Sequence, residues 1–360
     1  MTVHTEILLI AIAVSIACAI PGVFLVLRRM SMMADAITHT VFLGIVLAFF
    51  MTEDLNSPFL LVGATLVGVG TVWLTEMIHN TGLVNEDASI GIIFPLLFSI
   101  AIILVSLYSG NAHLDVDTAL LGEIAFAPFD RWIVNGTDLG PISLWISLGV
   151  ALINLILVML FYKELQLSTF DPLLAGLFGF MPVLIHYVLM TMVSLTVVAS
   201  FQAVGAILVI GLMIGPAAIA YLWTDSVKAM LTSSIIIGII CAVVGTEVAF
   251  TMDVSIAGSI ATTIGIALII AVIATPKTGY IATYRRQRHL RRHYRETMML
   301  CHIYTHMDTP IAQVENGIGT IHEHLNWRPD YTHQAASQLK KQGLLLSLIH
   351  ISEPTRPRLI

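Results

Sequence analysis

Residues 7–27 read ILLIAIAVSIACAIPGVFLVL and are followed directly by Arg28 and Arg29. An apolar run of about 20 residues is long enough to cross the hydrocarbon core of a bilayer as a single helix. Further runs of similar character follow along the chain, near 31–51, 57–78, 87–108, 142–162, 180–199, 202–223, 229–250 and 255–275. These runs predict an all-α polytopic membrane protein with about nine transmembrane helices, eight at the fewest.

The composition agrees with this prediction, since 57% of the 360 residues are hydrophobic and only 11% are charged. Soluble domains carry about 25% charged residues, so this chain has too few to cover a water-facing surface. The three cysteines, Cys18, Cys241 and Cys301, are far apart and show no paired spacing. We therefore expect neither a disulfide framework nor a cysteine-based zinc site.

The lysines and arginines of the short loops predict the orientation of the chain. Arg28, Arg29, Lys163, Lys228 and Lys277 all fall on one side of the membrane if the spans alternate. Short cytoplasmic loops carry the excess of basic residues. We therefore expect the N-terminus outside and the C-terminus in the cytoplasm.

The composition changes abruptly after the last apolar run, which suggests four segments. Residues 1–276 form the predicted transmembrane domain, and 277–294 form a basic juxtamembrane helix suited to contact with anionic lipid. Residues 295–344 form a small helical tail that resembles a truncated winged-helix module of metal-dependent repressors. DNA binding, partner binding and a degenerate module all stay open for this tail. Residues 345–360 resemble the translation of a sequencing adapter, and we exclude them from fold reasoning.

Asp35 and His39 are the polar pair of greatest interest, because ionisable residues inside a membrane span commonly mark function. Their i,i+4 spacing places them on one helical face. At 1.5 Å per residue, His39 lies roughly 15 Å beyond Arg29, near the bilayer midplane. Oxygen ligands suit manganese and imidazole suits iron or zinc, so other helices, a second subunit or water would complete a metal site. A structural Asp–His hydrogen bond stays open on spacing alone.

Other polar residues lie in or near the predicted spans: Glu86, Asp87, Glu123, His186, Glu247 and Asp253. Glu86 and Asp87 suit a helix N-terminus, and Glu123 suits an external loop or an entry path. We expect His186 and Glu247 to make contacts between helices, with Glu247 the better placed to face a cavity. In the tail, His302 and His306 at i,i+4 suit either metal binding or solvent exposure.

The sequence contains no Gly-x-x-x-x-Gly-Lys-[Ser/Thr] loop for nucleotide binding. Any energy for transport must therefore come from a partner chain or an ion gradient. We also find no nucleophile–base constellation in a plausible cleft. The chain is predicted to be a transport subunit and not an enzyme.

Several sequence blocks resemble the ABC-type metal-ion permease family, over about residues 5–276. These blocks are 22–31, 35–39, 86–92, 120–128, 194–205 and 214–218. The resemblance implies that Asp35 and His39 coordinate a transported manganese, iron or zinc ion, with no permanently bound cofactor. It also implies a bacterial cytoplasmic membrane location, ABC ATPase subunits, an extracytoplasmic metal-binding protein, and pairing as a homodimer or with a paralogous permease. One departure is Leu43, since relatives usually have proline before the glycine that is Gly44 here.

A further block, residues 169–179, resembles the coupling helix on which the ATPase docks. The residues matching that role are Phe170, Asp171, Pro172, Leu174 and Gly179. An Asp-Pro pair is a good helix start, and the leucines that follow offer an apolar docking face. An ordinary helix lying on the membrane is the alternative interpretation.

Three other functions compete with the ABC importer hypothesis. A secondary metal transporter or channel would need coupling-ion sites at broken helices and no coupling helix. A permease for siderophores or cobalamin would not need an Asp/His pair at the midplane. A membrane-anchored transcriptional regulator would not need about nine spans with polar interior residues.

Overall fold

The computed structural model describes residues 2–53, 57, 59–108, 124–134, 137–275, 279–306, 316–317 and 319–344. The chain divides into two compact units, Met1–Ile273 and Ala274–Ile360.

Nine helices in the described part of the first unit are long and apolar enough to cross a membrane. They are α1 (Val3–Leu27), α2 (Ser31–Thr52), α3 (Phe59–His79), α4 (Glu86–Tyr108), α5 (Ile142–Leu160), α8 (Pro182–Val204), α9 (Ala206–Trp223), α10 (Val227–Met252) and α11 (Ile256–Ala274). Two short helices, α6 (Tyr162–Phe170) and α7 (Pro172–Leu177), connect α5 to α8. The predicted polytopic helical fold is confirmed, and most of its boundaries agree with the predicted spans within a few residues.

Helix α1 lies at the centre of the bundle because it is apolar on every side, as expected of a buried helix. It packs against α5, α9 and α10, whereas α2 packs against α3, α4 and α8. The main core draws its buried side chains from several helices, among them Ile10, Val14, Ile37, Val197 and Leu212. Outer helices keep large apolar side chains exposed, such as Ile103, Met159 and Ile269. In a membrane protein such surfaces face lipid.

Helices α2 and α3 approach each other closely because small residues line their contact. A Cβ atom added to Gly44 would lie 2.5 Å from Cα of Ala64 and 2.6 Å from the carbonyl oxygen of Gly63. The same interface contains a hydrogen bond in which Thr71 Oγ1 donates to Thr40 Oγ1 at 2.8 Å. Small residues and hydroxyl pairs of this kind drive helix association in membranes.

Asn154 on α5 makes the polar contact that joins α5 to α1 and α8. Its buried Nδ2 donates to the carbonyl oxygen of Ala17 at 3.2 Å and to Thr196 Oγ1 at 2.7 Å. Its Oδ1 is buried and has no hydrogen-bond partner among the described residues. Thr196 also donates to the carbonyl oxygen of Met192 within its own helix, so the threonine does not depend on Asn154.

The segment between α4 and α5 contains a small antiparallel hairpin. Residues 109–123 lie outside the described chain, and β1 (Arg131–Val134) pairs with β2 (Thr137–Pro141). The Arg131 guanidinium contacts the buried Glu6 carboxylate at 3.2 Å and Asp138 at 2.6 Å. This charge cluster attaches the hairpin to the first turn of α1, a contact that helical periodicity alone does not predict.

The second unit is helical in its described residues, with α12 (Tyr280–Thr305), α13 (Ile321–His324) and α14 (Pro329–Lys341). A separate apolar core holds them together, formed by Met299, Ile303, Ile321, Ala335, Ala336 and Leu339. Helix α12 continues without a break through position 294, where we predicted the boundary between linker and module. Residues 345–360 lie outside the described chain.

Candidate metal-binding and coupling sites

Asp35 and His39 lie on one face of α2, as their spacing predicts. Nε2 of His39 is 3.6 Å from Oδ1 of Asp35, and the two side chains are 29% and 38% exposed. Helix α2 begins at Ser31, immediately after a tight turn in which Arg29 has a φ of 62°. Because neither side chain is fully buried, both can reach a ligand outside the bundle of a single chain.

The imidazole of His39 faces helix α4. Its ring centroid lies 5.5 Å from that of Phe94 and 5.8 Å from that of Phe98. The neighbouring Thr38 and Thr40 are fully buried on other faces of α2. The aromatic contacts restrict the rotation of His39 while its nitrogen remains directed towards Asp35.

The described residues of one chain provide only part of a metal shell. Within them, no group of three or more His, Cys, Asp or Glu side chains is close enough to hold a metal ion. Transition metals take four or more ligands in protein sites. A site built on Asp35 and His39 therefore needs water or a second polypeptide. Glu123, the entry-path candidate, lies outside the described residues.

The remaining polar candidates lie elsewhere. Oε1 of Glu247 is 3.4 Å from Nε2 of His4, and this contact joins α10 to α1. His4 lies at the end of α1 opposite to Arg28. Glu86 and Asp87 occupy the first turn of α4, the position their acidic character suggests. Asp253 follows α10 with a φ of 54° and acts as its C-terminal cap.

The segment around Asp171 forms a capped short helix, as the Asp-Pro pair predicts. Oδ1 of Asp171 accepts a hydrogen bond from the backbone N–H of Leu174 at 2.9 Å, and Pro172 is the first helical residue. Gly179 ends the segment with a φ of 83°, in the left-handed region that glycine tolerates best. The chain then enters α8 at Pro182.

Large apolar side chains cover the exposed surface of this segment: Phe170, Leu173, Leu177 and Phe178, exposed by 62%, 85%, 85% and 67%, with Leu174 at 38%. Ala175 is completely buried and attaches the helix to the bundle. Exposed apolar patches of this kind mark sites of protein–protein or membrane contact.

A cavity of about 500 Å³ lies beside this segment, at the end of the bundle where Arg28 is found. His186 lines it and joins three helices, since Nδ1 is 3.2 Å from Nη1 of Arg28 and Nε2 is 2.7 Å from Oε1 of Glu76. The Nε2 contact is short but poorly aligned for a hydrogen bond. The OH of Tyr187 donates to the other oxygen of Glu76 at 2.7 Å.

Most of this cluster was not predicted from the sequence. Arg28 was assigned only to the topology of the chain, and Glu76 was not predicted to be functional, although an acidic residue near the end of a membrane span is a recognisable signal. The predicted contact of His186 between helices is observed.

Two histidines of the second unit stack against each other. The rings of His302 and His306 are 4.6 Å apart, and that of His324 is 5.5 Å from His302. Like the other described residues, these three histidines do not form a group that could hold a metal ion. Among the described residues of the tail, the structure therefore adds no metal site.

Comparisons with known proteins found relatives of this chain. Residues 2–275 match the ABC 3 transport family. The zinc transport system membrane protein TroD of Treponema pallidum (strain Nichols) is 44% identical over 323 residues, covering 89% of this chain and 88% of the relative. The manganese transport system membrane protein MntD of Bacillus subtilis (strain 168) is 43% identical over 281 residues, covering 78% and 95% respectively.

A solved structure shows the same architecture. A chain of PsaBC from Streptococcus pneumoniae in complex with Fab superposes with a TM-score of 0.66 at 29% identity, covering 79% of this chain and 96% of that one. The TroD alignment is longer than the transmembrane unit, so it includes part of the tail. These comparisons give no support to the winged-helix interpretation of the tail. Because the family match includes all nine candidate membrane helices of the described residues, the chain belongs to the ABC 3 transport family.

Proposed function

We propose that this chain is the membrane permease subunit of an ABC importer that carries a divalent transition-metal ion into the cytoplasm. The observation that carries the proposal is the Asp35–His39 pair on one face of α2, within a chain of this family. Relatives named for manganese and zinc transport favour those two ions. Iron accepts the same donor atoms and stays within the proposal.

The incomplete ligand set supports a dimeric translocation path. One chain offers a carboxylate and an imidazole, so two copies related by symmetry would offer four protein ligands around a central ion. A paralogous permease with equivalent residues would do the same. Ionisable groups inside a membrane span are costly, and those that occur commonly line an ion or substrate path.

The partners follow from what the chain does not contain. With no nucleotide-binding loop in its sequence, it requires separate ATPase subunits, and the apolar surface formed by Phe170, Leu173 and Leu177 suits their docking. We place this surface in the cytoplasm, with the N-terminus outside, in a bacterial cytoplasmic membrane. An extracytoplasmic metal-binding protein would deliver the ion to the opposite face.

For the tail we propose a peripheral role at the membrane surface. Arg285, Arg286, Arg288 and Arg291 are exposed on α12, and such clusters attract anionic lipid headgroups. DNA recognition is not part of the proposal, because the winged-helix fold it requires has no support.

Metal uptake by proteoliposomes tests the proposal, with the permease reconstituted beside its ATPase and binding protein. Replacing His39 by alanine removes one proposed ligand, and replacing Asp35 by alanine removes the other. Loss of an outer-shell partner costs about 10–100-fold in metal affinity or activity, and we expect loss of a direct ligand to lower uptake by at least this much. His289→Ala, which removes an exposed histidine of α12, should leave uptake unchanged.

Two results would contradict parts of the proposal. Normal uptake by both His39→Ala and Asp35→Ala would contradict the assignment of these two residues as metal ligands. Uptake that continues without the ATPase would instead favour a secondary transporter or channel.

A further inference from the structure

Arg28 is attached to the bundle by three protein contacts that involve two different helices. Its Nε donates to Thr169 Oγ1 at 3.1 Å, and Nη2 donates to Ser168 Oγ at 3.3 Å. Its Nη1 lies 3.2 Å from Nδ1 of His186 on α8. The planar guanidinium, with five N–H donors in a rigid fork, can satisfy all three contacts at once.

These contacts distinguish Arg28 from a lipid-facing topology anchor. Arg28 is partly buried while its neighbour Arg29 is exposed. Burial lowers the pKa of Arg28 from its ordinary value, yet a guanidinium remains charged at physiological pH. A partly desolvated cation depends on its acceptors, so Arg28 is expected to follow Ser168 and Thr169 when these residues move.

The two acceptors on α6 lie next to the proposed ATPase-docking surface. Ser168 and Thr169 occupy the end of α6, and α7 begins only three residues later at Pro172. If a docked ATPase displaces α7, Ser168 and Thr169 should therefore move with it, together with the Arg28 guanidinium that is hydrogen-bonded to them.

On its other side, Arg28 is joined to the helix that holds the metal pair. A tight turn connects α1 to α2, with the N–H of Met30 donating to the carbonyl oxygen of Leu25 at 2.9 Å and the N–H of Met33 to that of Met30 at 3.1 Å. Asp35 lies one turn further along α2. The turn is short and hydrogen-bonded, so a shift of Arg28 displaces the start of α2.

The contact with His186 extends the cluster to a third helix. His186 and Tyr187 on α8 both contact Glu76 on α3. Arg28 therefore packs beside a pair of helices, α3 and α8, that are joined by these side chains. Through these side-chain contacts, Arg28 links α6 to α8 and, by way of His186, to α3.

We infer that Arg28 is a positioning residue that transmits movement of the α6–α7 segment to α2 and its Asp35–His39 pair. The inference rests on the proposed function, because it assumes an ATPase that acts on α7. It assigns Arg28 a role in converting ATP hydrolysis into metal movement, with no direct contact to metal or nucleotide.

The test measures ATP hydrolysis and metal uptake in the same proteoliposomes, for the wild type, Arg28→Gln and the matched control Arg29→Gln. Typical coupling energies between sites correspond to factors of about 5–150. For Arg28→Gln we expect ATP hydrolysis close to the wild-type rate and about 10-fold fewer metal ions moved per ATP hydrolysed. Arg29→Gln should keep the wild-type ratio.

A second variant guards against misfolding of Arg28→Gln. Thr169→Val removes one acceptor on α6 and leaves the arginine in place, so it should lower the same ratio more mildly. Wild-type ratios in Arg28→Gln and Thr169→Val would overturn the inference, as would parallel loss of hydrolysis and uptake in both. If the wild type itself moves metal without hydrolysing ATP, the proposed function fails instead, which keeps the two failures distinguishable.

Discussion

Replacing Gly44 by alanine measures how closely α2 and α3 must approach each other. The new Cβ would lie 2.5 Å from Cα of Ala64, whereas ordinary van der Waals contact begins at 3.4 Å. The two helices must therefore separate by almost 1 Å or distort locally. Overpacking of this kind costs about 1–3 kcal/mol.

A glycine-to-alanine change also alters helix propensity, and Gly70 on α3 provides the control. A Cβ at Gly70 would meet no atom of the described residues within 4 Å, so Gly70→Ala should gain about 1 kcal/mol from helix propensity alone. The same gain applies at Gly44. The difference between the two variants therefore isolates the steric cost, which we expect to be about 1–3 kcal/mol.

Thermal unfolding in detergent measures this difference. A change of 1 kcal/mol shifts the melting temperature by about 2–4 °C in proteins of 150–250 residues, so Gly44→Ala should melt clearly below Gly70→Ala. Metal uptake should fall in parallel, because Gly44 lies on the same helix as His39. Equal melting temperatures for the two variants would refute the close-packing argument.

Three further predictions concern the capped helix, the hairpin and the buried amide. Asp171→Ala removes the cap of α7, which is worth about 0.5–2 kcal/mol, and should therefore weaken co-purification of the ATPase with the permease. Asp171→Asn keeps a capping oxygen and should leave co-purification unchanged. The pKa of Asp138 is lowered from 3.8, first by the hydrogen bond from the Gly140 N–H and then by Arg131. The carboxylate therefore stabilises the hairpin at neutral pH, and this stabilisation is lost as the pH falls through the lowered pKa. Trp132 fluorescence should change in that acid range for the wild type, and Asp138→Asn should lack the transition. Asn154→Leu gives up two hydrogen bonds worth about 0.6 kcal/mol each, but it also removes a buried Oδ1 that has no partner among the described residues. Because these two effects oppose each other, the melting temperature of the variant should stay near that of the wild type. A large fall in melting temperature would contradict this prediction.

Much of the fold could be predicted because it depends on local properties of the chain. A membrane span is recognised by length and apolarity, so the nine candidate spans of the described residues were all predicted, from Val3–Leu27 to Ile256–Ala274. The Asp171 cap was predicted for the same reason, since the aspartate and the N–H it accepts from are three residues apart. The pairing of β1 with β2 was not predicted, because the two short strands lack the long apolar runs that identify the membrane spans.

The sequence by itself determined that the chain crosses a membrane and that Asp35 and His39 share one face of a helix, since helix geometry fixes neighbours three or four residues apart. Only the tertiary structure decided that Arg28 meets Thr169 and His186, that Glu6 meets Arg131, and that Gly44 meets Ala64. The partners in these pairs are far apart in the chain, and the packing of several helices brings them together. Periodicity specifies which face of a helix is apolar, but it does not specify which other helix that face will meet.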